Sequence, residues 1–173
     1  MPERPAAEEY APFFAGYVKL VPEKEVLPVL AAQVSEIRRL AASVPADRET
    51  FRYAPGKWSI REIFGHIGDA ERVFGYRAFC ISRGDQTPLP GFDENDYIAE
   101  SAYDQQTVAA LADAFAGLRG ANLAVLGRLD HARWVRGGNA NGNPVSVRAL
   151  AFIMAGHVRH HLGVLKARYG VTA

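Results

Sequence analysis

The stretch Gly156-His157-Val158-Arg159-His160-His161-Leu162-Gly163 lies inside a strongly apolar segment that runs from Leu150 to Leu165. Apolar residues recur there at the period of an α-helix. His157 and His161 are four residues apart, and residues at that spacing are neighbours on one helical face. On a helical wheel both fall in the same broad apolar arc. The stretch therefore predicts a core helix that presents two imidazoles to the protein interior.

Outward from this stretch, four amphipathic segments predict the main helices. They run from near Pro28 to before Pro45, from a capping box of Ser59 and Glu62 to Gly84, from about Gln105 to Leu129, and from Ser146 to Tyr169. The length of 173 residues and the 49% hydrophobic content suit one domain, residues 1–173. We therefore expect an all-α fold, a four-helix bundle preceded by an irregular N-terminal arm.

The connections between these helices carry their own signals. The arm contains Tyr10, Phe13, Phe14 and Tyr17, and it either covers the bundle, which we favour, or forms a dimer contact. The loop of residues 86–97 mixes turn formers with carboxylates, is expected to close into a short helical turn after Asp93, and is a candidate border of a pocket. Asn141-Gly142 marks either a small hairpin or an irregular loop.

Charge and cysteine content exclude several classes of protein. Twenty basic against nineteen acidic residues leave a formal charge of +1, without a basic and aromatic cluster, which argues against nucleic-acid binding. No signal segment is recognisable, and no apolar run approaches membrane-spanning length. The single cysteine, Cys80, fits a reducing compartment and is expected to be buried filler rather than a nucleophile. The sequence thus predicts a cytoplasmic protein that binds no membrane.

Two neutral imidazoles packed together in a core need a shared partner, which is a metal ion, a water molecule or a carboxylate. His66, on the second predicted helix, is the best candidate for a third metal ligand. Asp69 and Glu62 lie within one turn of His66 and either orient a ligand ring or form surface ion pairs. His160, at the margin of the apolar arc, suits a hydrogen bond better than a ligand role. Val158 occupies the position of the zincin glutamate, which disfavours proteolysis.

One polar residue interrupts the third helix. The apolar seam of that helix, which includes Phe115 and Leu118, is broken by Asn122. A polar residue at such a position fixes the packing register, lines a ligand cavity or supports a metal ligand. We expect the first of these roles.

Three motifs in the same order give the chain a resemblance to a known family. They are Pro55-Gly56-Lys57-Trp58-Ser59-Ile60-Arg61-Glu62 leading into His66-Ile67-Gly68-Asp69, then Phe92-Asp93-Glu94 with Tyr97, and finally His157-Val158-Arg159-His160-His161-Leu162. From about Tyr17 to Tyr169 the chain resembles the DinB-like superfamily, and within it the YfiT branch of metal-dependent hydrolases, which includes bacillithiol S-transferases.

The resemblance implies a DinB/YfiT-type bundle, often dimeric, in which His66, His157 and His161 bind a divalent cation such as zinc or nickel. An open coordination position would let the cation activate water or a low-molecular-weight thiol against a small-molecule substrate. Hydrolysis would need an acid or base, for which Asp69, Asp93 and Glu94 are the candidates. The rival hypothesis is a non-catalytic metal-binding or stress-response protein.

Overall fold

Three of the four long helices in this protein begin at a side chain that caps a backbone amide. The computed structural model describes residues 3–172. Its four long helices are α2 (Val26–Ala42), α3 (Ile60–Ser82), α5 (Val108–Leu126) and α7 (Val147–Tyr169), and its short ones are α1 (Ala15–Lys19), α4 (Glu94–Ala99) and α6 (His131–Trp134). The predicted all-α four-helix bundle is therefore confirmed.

The caps explain where the long helices start. At α3 the Ser59 hydroxyl accepts from the Glu62 amide, and the Glu62 carboxylate accepts from the Ser59 amide, as predicted. Ser146 caps α7 as expected. The third long helix is shorter than predicted because the Thr107 hydroxyl caps α5, while Tyr103–Gln105 forms a separate 3-10 turn. The first long helix begins at Val26, before Pro28, because a proline is tolerated in the first turn.

The bundle has an alternating order of helices. α3 packs against α5 and α7, and α2 packs against the same two helices. Helices that follow each other along the chain, α2 and α3, therefore lie on a diagonal rather than side by side. This order makes α3 and α7 neighbours, and these are the two helices that carry the histidines of interest.

A β-hairpin before α7 fixes one connecting loop. Strands β1 (Gly137–Ala140) and β2 (Asn143–Ser146) pair antiparallel around Asn141 and Gly142, whose φ angles are 52° and 73°. Two positive φ angles are the signature of a type I′ turn, so the hairpin alternative is correct. The Leu89 amide donates to Asn139, and the Leu89 carbonyl accepts from Asn141. The hairpin thereby holds the loop that leads to α4.

The N-terminal arm is more ordered than predicted. Two 3-10 turns, Ala7–Glu9 and Pro12–Phe14, lead into α1, which packs on α7. Arg4 donates to the Val18 and Val21 carbonyls at 2.9 and 2.7 Å, satisfying acceptors after the short helix. The arm thus covers the bundle, the alternative that the sequence favoured.

A polar network occupies the centre of the bundle. The Arg119 side chain is completely buried and donates to both carboxylate oxygens of Glu71, at 2.9 and 2.8 Å. Arg119 also donates to Gln33, and Asn122 donates to Glu71 at 2.7 Å. Asn122 therefore joins α5 to α3, and no hydrogen bond within residues 3–172 links it to a histidine. This network links α2, α3 and α5.

One helix among the described residues, α5, is long and apolar enough to cross a membrane by length and composition, with a mean hydropathy of 1.3. This differs from the expectation that no apolar run approaches membrane-spanning length. A core helix of a bundle meets the same criterion, and α5 packs against α2 and α3 with the buried Arg119 among its residues. Length and composition by themselves therefore assign no membrane span to α5.

Replacing Glu71 with alanine is expected to lower the free energy of unfolding by about 3–5 kcal/mol, because it leaves the buried Arg119 guanidinium without its carboxylate partner. Urea unfolding measures this loss. The matched control is Asp113→Ala, which breaks the exposed pair with Arg38 and should cost less than about 1 kcal/mol. Similar small losses in both variants would contradict the assigned role of the network.

Candidate metal centre

Three histidines meet where α3 packs against α7. His66 lies on α3, and His157 and His161 lie on successive turns of α7. The Nε2 atom of His157 is 3.0 Å from Nε2 of His66 and 3.1 Å from Nε2 of His161. We call these three residues the histidine cluster. The predicted convergence of side chains from two helices is what the structure contains.

The spacing of the three nitrogens fits a shared cation. A neutral imidazole nitrogen offers either one proton or one lone pair, so Nε2 of His157 cannot form regular hydrogen bonds with both neighbours. Two nitrogens bound to one tetrahedral zinc ion lie about 3.3 Å apart. In the cluster, one ligand atom from each histidine lies within 4.8 Å of the others. The donor set and its dimensions therefore suit a divalent metal ion.

Burial keeps the cluster uncharged. The exposed fractions of His66, His157 and His161 are 6%, 5% and 8%. Burial lowers the pKa of His66 to about 4, and His160 adds to the effect. Burial, followed by the other histidines, also holds the pKa values of His157 and His161 well below the usual range. Three neutral imidazoles are present near pH 7, which is the protonation state that a metal ligand requires.

Aromatic side chains enclose the cluster. The Trp58 ring lies 4.7 Å from the His66 ring, and the Tyr17 ring packs edge-on against His157 at 5.4 Å. Phe74 contacts the other side of His157, with ring centroids 5.9 Å apart. These contacts restrict the orientations of the imidazoles, so the nitrogen positions are set before any ligand binds.

Two glycines allow the neighbouring segments to come this close. A Cβ atom on Gly156 would lie 2.0 Å from the Tyr17 carbonyl oxygen, so only glycine lets α1 approach α7 beside His157. A Cβ atom on Gly65 would lie 2.3 Å from the Tyr103 ring, next to His66. Both glycines immediately precede a histidine of the cluster. Together they allow the segments that contain Tyr17 and Tyr103 to pack closely beside these histidines.

Two cavities reach the cluster from different sides. The first, of about 330 Å³, we call the arm cavity; it touches His66 and His157 and is otherwise lined mainly by Phe13, Phe14, Tyr17, Phe74, Arg77, Phe92 and Glu94. The second, of about 260 Å³, we call the Trp58 cavity; it touches His161 and includes Tyr53, Lys57, Trp58, His160 and Tyr169. Each of the three histidines of the cluster therefore borders one of the two cavities.

The candidate acids and bases lie in different surroundings. Glu94, an exposed residue at the start of α4, borders the arm cavity. Asp93 is the N-cap of α4, and its carboxylate accepts from the Asn95 and Asp96 amides. Burial raises the pKa of Asp69, although a hydrogen bond with Tyr103 opposes the rise. Of the three candidates, only Glu94 lines a cavity that also touches the cluster.

The remaining polar residues near the cluster have other partners or positions. Glu62, considered as an orienting group for His66, instead accepts from Arg52 and the Ser59 amide. His160 is exposed, and its ring packs against Tyr17 and His161. Cys80 is buried among apolar residues, as predicted.

The family is settled by comparison with known proteins. A family model described as "DinB superfamily" matches residues 30–165. The chain belongs to the DinB superfamily. Among curated proteins, none matches the sequence.

Solved structures share the fold of this family. YfiT from Bacillus subtilis, "a probable metal-dependent hydrolase with an unusual four-helix bundle topology", superposes with a TM-score of 0.75 at 16% identity, over 99% of this chain and 97% of that one. A mycothiol-dependent maleylpyruvate isomerase gives 0.67 at 15% identity, over 86% of this chain and 60% of that one. A DinB-like protein from B. subtilis, yjoa, gives 0.56 at 22% identity, over 81% and 85%.

Sequence reasoning missed several residues around the cluster. Trp58 stands in the first quoted motif and Tyr17 in the aromatic arm, but neither was assigned to the site. Arg77 had no place in the predicted site, yet it is 5% exposed and lines the arm cavity. Burial of a residue in the last turns of α3 depends on the neighbouring loop, which periodicity does not report.

The metal-free protein should lose stability as the pH falls from about 6.5 towards 4. In that range the unfolded histidines bind protons while the buried cluster, with the His66 pKa at about 4, stays neutral, so acid favours unfolding. Each such histidine lowers the free energy of unfolding by up to about 1.4 kcal/mol for every pH unit of acidification in this range. Urea unfolding in chelator between pH 5 and 7 measures the slope. His66→Asn should reduce it, whereas exposed His131→Asn should not; equal slopes would contradict the assignment.

Proposed function

We propose that this protein is a divalent-metal-dependent enzyme that activates water or a low-molecular-weight thiol for attack on a small electrophilic substrate. The proposed ligands are His66, His157 and His161. The observation that carries the proposal is the convergence of their nitrogens beside the arm cavity. When bound there, a divalent cation supplies a Lewis acid that lowers the pKa of a coordinated water or thiol.

The residues of the chain prepare the site for this chemistry. The low pKa values of the cluster keep three lone pairs free at neutral pH. Tyr17 and Phe74 restrict the access of water to His157 and form an apolar wall for a substrate. We assign to Glu94 the role of general acid or base, because its carboxylate borders the arm cavity.

Hydrolysis and thiol transfer are both compatible with this cluster, and the two cavities support the second. Transfer requires a thiol and an electrophile to reach the nucleophile-activating centre together. The arm cavity and the Trp58 cavity touch different histidines of the cluster, so two ligands have separate places to bind. We therefore propose thiol S-transfer as a second activity class beside hydrolysis.

The non-catalytic alternative is less well supported. An ion that only joins two helices needs no cavity, whereas catalytic sites keep a position open to a substrate. Three imidazoles suit zinc or nickel, and we propose one of these as the physiological ion. We further propose a single domain that works in the cytoplasm, acts on a small molecule and forms a homodimer.

The purified protein should bind about one zinc ion per chain, because three imidazole ligands define one site. His66→Ala is expected to reduce zinc affinity at least tenfold and to abolish turnover of activated esters or epoxides. His131→Ala is the matched control, since His131 is exposed on α6, away from the cluster. Competition with a chromogenic chelator measures affinity, and equal zinc affinity in both variants would refute the ligand assignment.

The two activity classes can be distinguished by an assay of the zinc-loaded protein. Activated esters and epoxides are offered with and without bacillithiol, mycothiol or glutathione, and we expect turnover in one of the two conditions. Cleavage that is independent of thiol identifies a hydrolase. A transferase is identified by a product that forms only with thiol, which is a thioester plus the released alcohol from an activated ester, or a β-hydroxy thioether from an epoxide. Mass spectrometry of the products separates these outcomes. Absence of either product across the panel, with zinc bound, would favour the non-catalytic alternative.

A further inference from the structure

Arg77 is a buried cation without a carboxylate partner. It lies on α3 and is only 5% exposed. Its guanidinium donates to the Pro90 carbonyl at 2.5 Å, and no ion pair within residues 3–172 includes it. Arg119, the other buried arginine among residues 3–172, is paired with Glu71. A buried guanidinium bound by one carbonyl retains several unused donors.

No side-chain nitrogen in residues 3–172 is both buried and unpaired, so the unused donors of Arg77 reach open space. Arg77 borders two cavities, and one of them touches the histidine cluster. Arg77 lines the arm cavity together with His66 and His157. Burial lowers the pKa of Arg77, while Tyr97 opposes the shift. Taking a guanidinium out of water costs free energy unless an anion compensates it. Glu94, the carboxylate that borders the same cavity, is not within ion-pair distance of Arg77.

Phe74 sets the distance between the cationic end of the cavity and the histidines. Its ring lies 5.9 Å from the Arg77 guanidinium carbon and 5.9 Å from the His157 ring. The sum of these two distances, about 12 Å, is therefore the upper limit of the separation between the Arg77 guanidinium carbon and the centre of the His157 ring. A substrate held by Arg77 through one end would lie along an aromatic wall and extend towards the histidine cluster. The cavity volume of about 330 Å³ limits such a substrate to a small molecule.

We propose that Arg77 is the anion-recognition residue of the arm cavity, and that the substrate is a small molecule with an apolar body and a carboxylate at the end remote from the reacting atom. The planar fork of arginine matches the two oxygens of a carboxylate. The inference rests on the proposed function, because it names the substrate class of the same cavity, but anion binding by Arg77 itself requires no metal.

The test uses 4-fluorobenzoate as probe and 4-fluorobenzamide as its uncharged analogue, with 19F NMR titrations of the full-length protein. Wild-type protein should bind the benzoate at least tenfold more tightly than the benzamide, both zinc-loaded and after chelation. Arg77→Gln should weaken benzoate binding about tenfold or more and leave benzamide binding unchanged, since only the charged hydrogen bonds are lost. Arg72→Gln, an exposed change on the same helix, is the matched control and should bind both probes like wild type.

Two further variants separate this role from others. Arg77→Lys keeps the charge without the fork and should retain part of the preference for benzoate. Glu94→Gln removes the competing carboxylate and should not weaken benzoate binding. 4-Fluorophenylphosphonate tests the specificity, and tighter binding of the phosphonate than of the benzoate would overturn the carboxylate assignment.

Several results would overturn the inference without touching the proposed function. If the wild-type protein binds benzoate no more tightly than benzamide, the inference is overturned whatever the variants show. Equal loss of both probes in Arg77→Gln would mean that Arg77 only anchors the loop at Pro90. Benzoate binding that disappears on chelation or in His66→Ala, but persists in Arg77→Gln, would place the anion on the metal. Conversely, Arg77-dependent binding of benzoate by a protein that takes up no zinc when zinc is supplied would uphold this inference and defeat the metal proposal.

Discussion

The packing of α3 against α7 is the constraint on which the rest of this structure depends. It brings His66 to within 3.0 Å of His157, and it does so in a region where the imidazoles are almost fully buried. Buried neutral rings with facing lone pairs are poorly satisfied by one another. The helix contact therefore creates a site whose nitrogen lone pairs suit a cation. The neighbouring segments are arranged around this site.

The alternating order of the helices makes that contact possible. Because α2 and α3 are diagonal, α3 has α7 as a neighbour on one side and α5 on the other. The α5 side carries the buried Arg119–Glu71 pair, and the α7 side carries the histidines. One helix thus holds two polar centres of different kinds. In the first, charges neutralise each other, and in the second, uncharged rings border cavities that small molecules can enter.

The chain belongs to the DinB superfamily, and it shares its fold with YfiT. The fold is common to proteins of different chemistry, so the choice of substrate must come from the cavity walls. Here the walls combine aromatic rings, one unpaired guanidinium and one exposed carboxylate. Such a lining favours a small, partly apolar ligand with a polar end.

The sequence by itself determined the four long helices and the set of three histidines, because these depend on local signals: a period of 3.6 residues, capping side chains, and two histidines one turn apart. It left open whether Asn141 and Gly142 form a hairpin, and the structure decided that question. Its errors were at boundaries such as that of α5, where Thr107 decides the start. Only the tertiary structure decided that Tyr17 and Trp58 enclose the cluster, that Glu94 borders the arm cavity, and that Arg77 is buried there. These positions follow from long-range packing of the arm and of the loop before α4, and a local pattern carries no information about which distant segment will cover a given helical face.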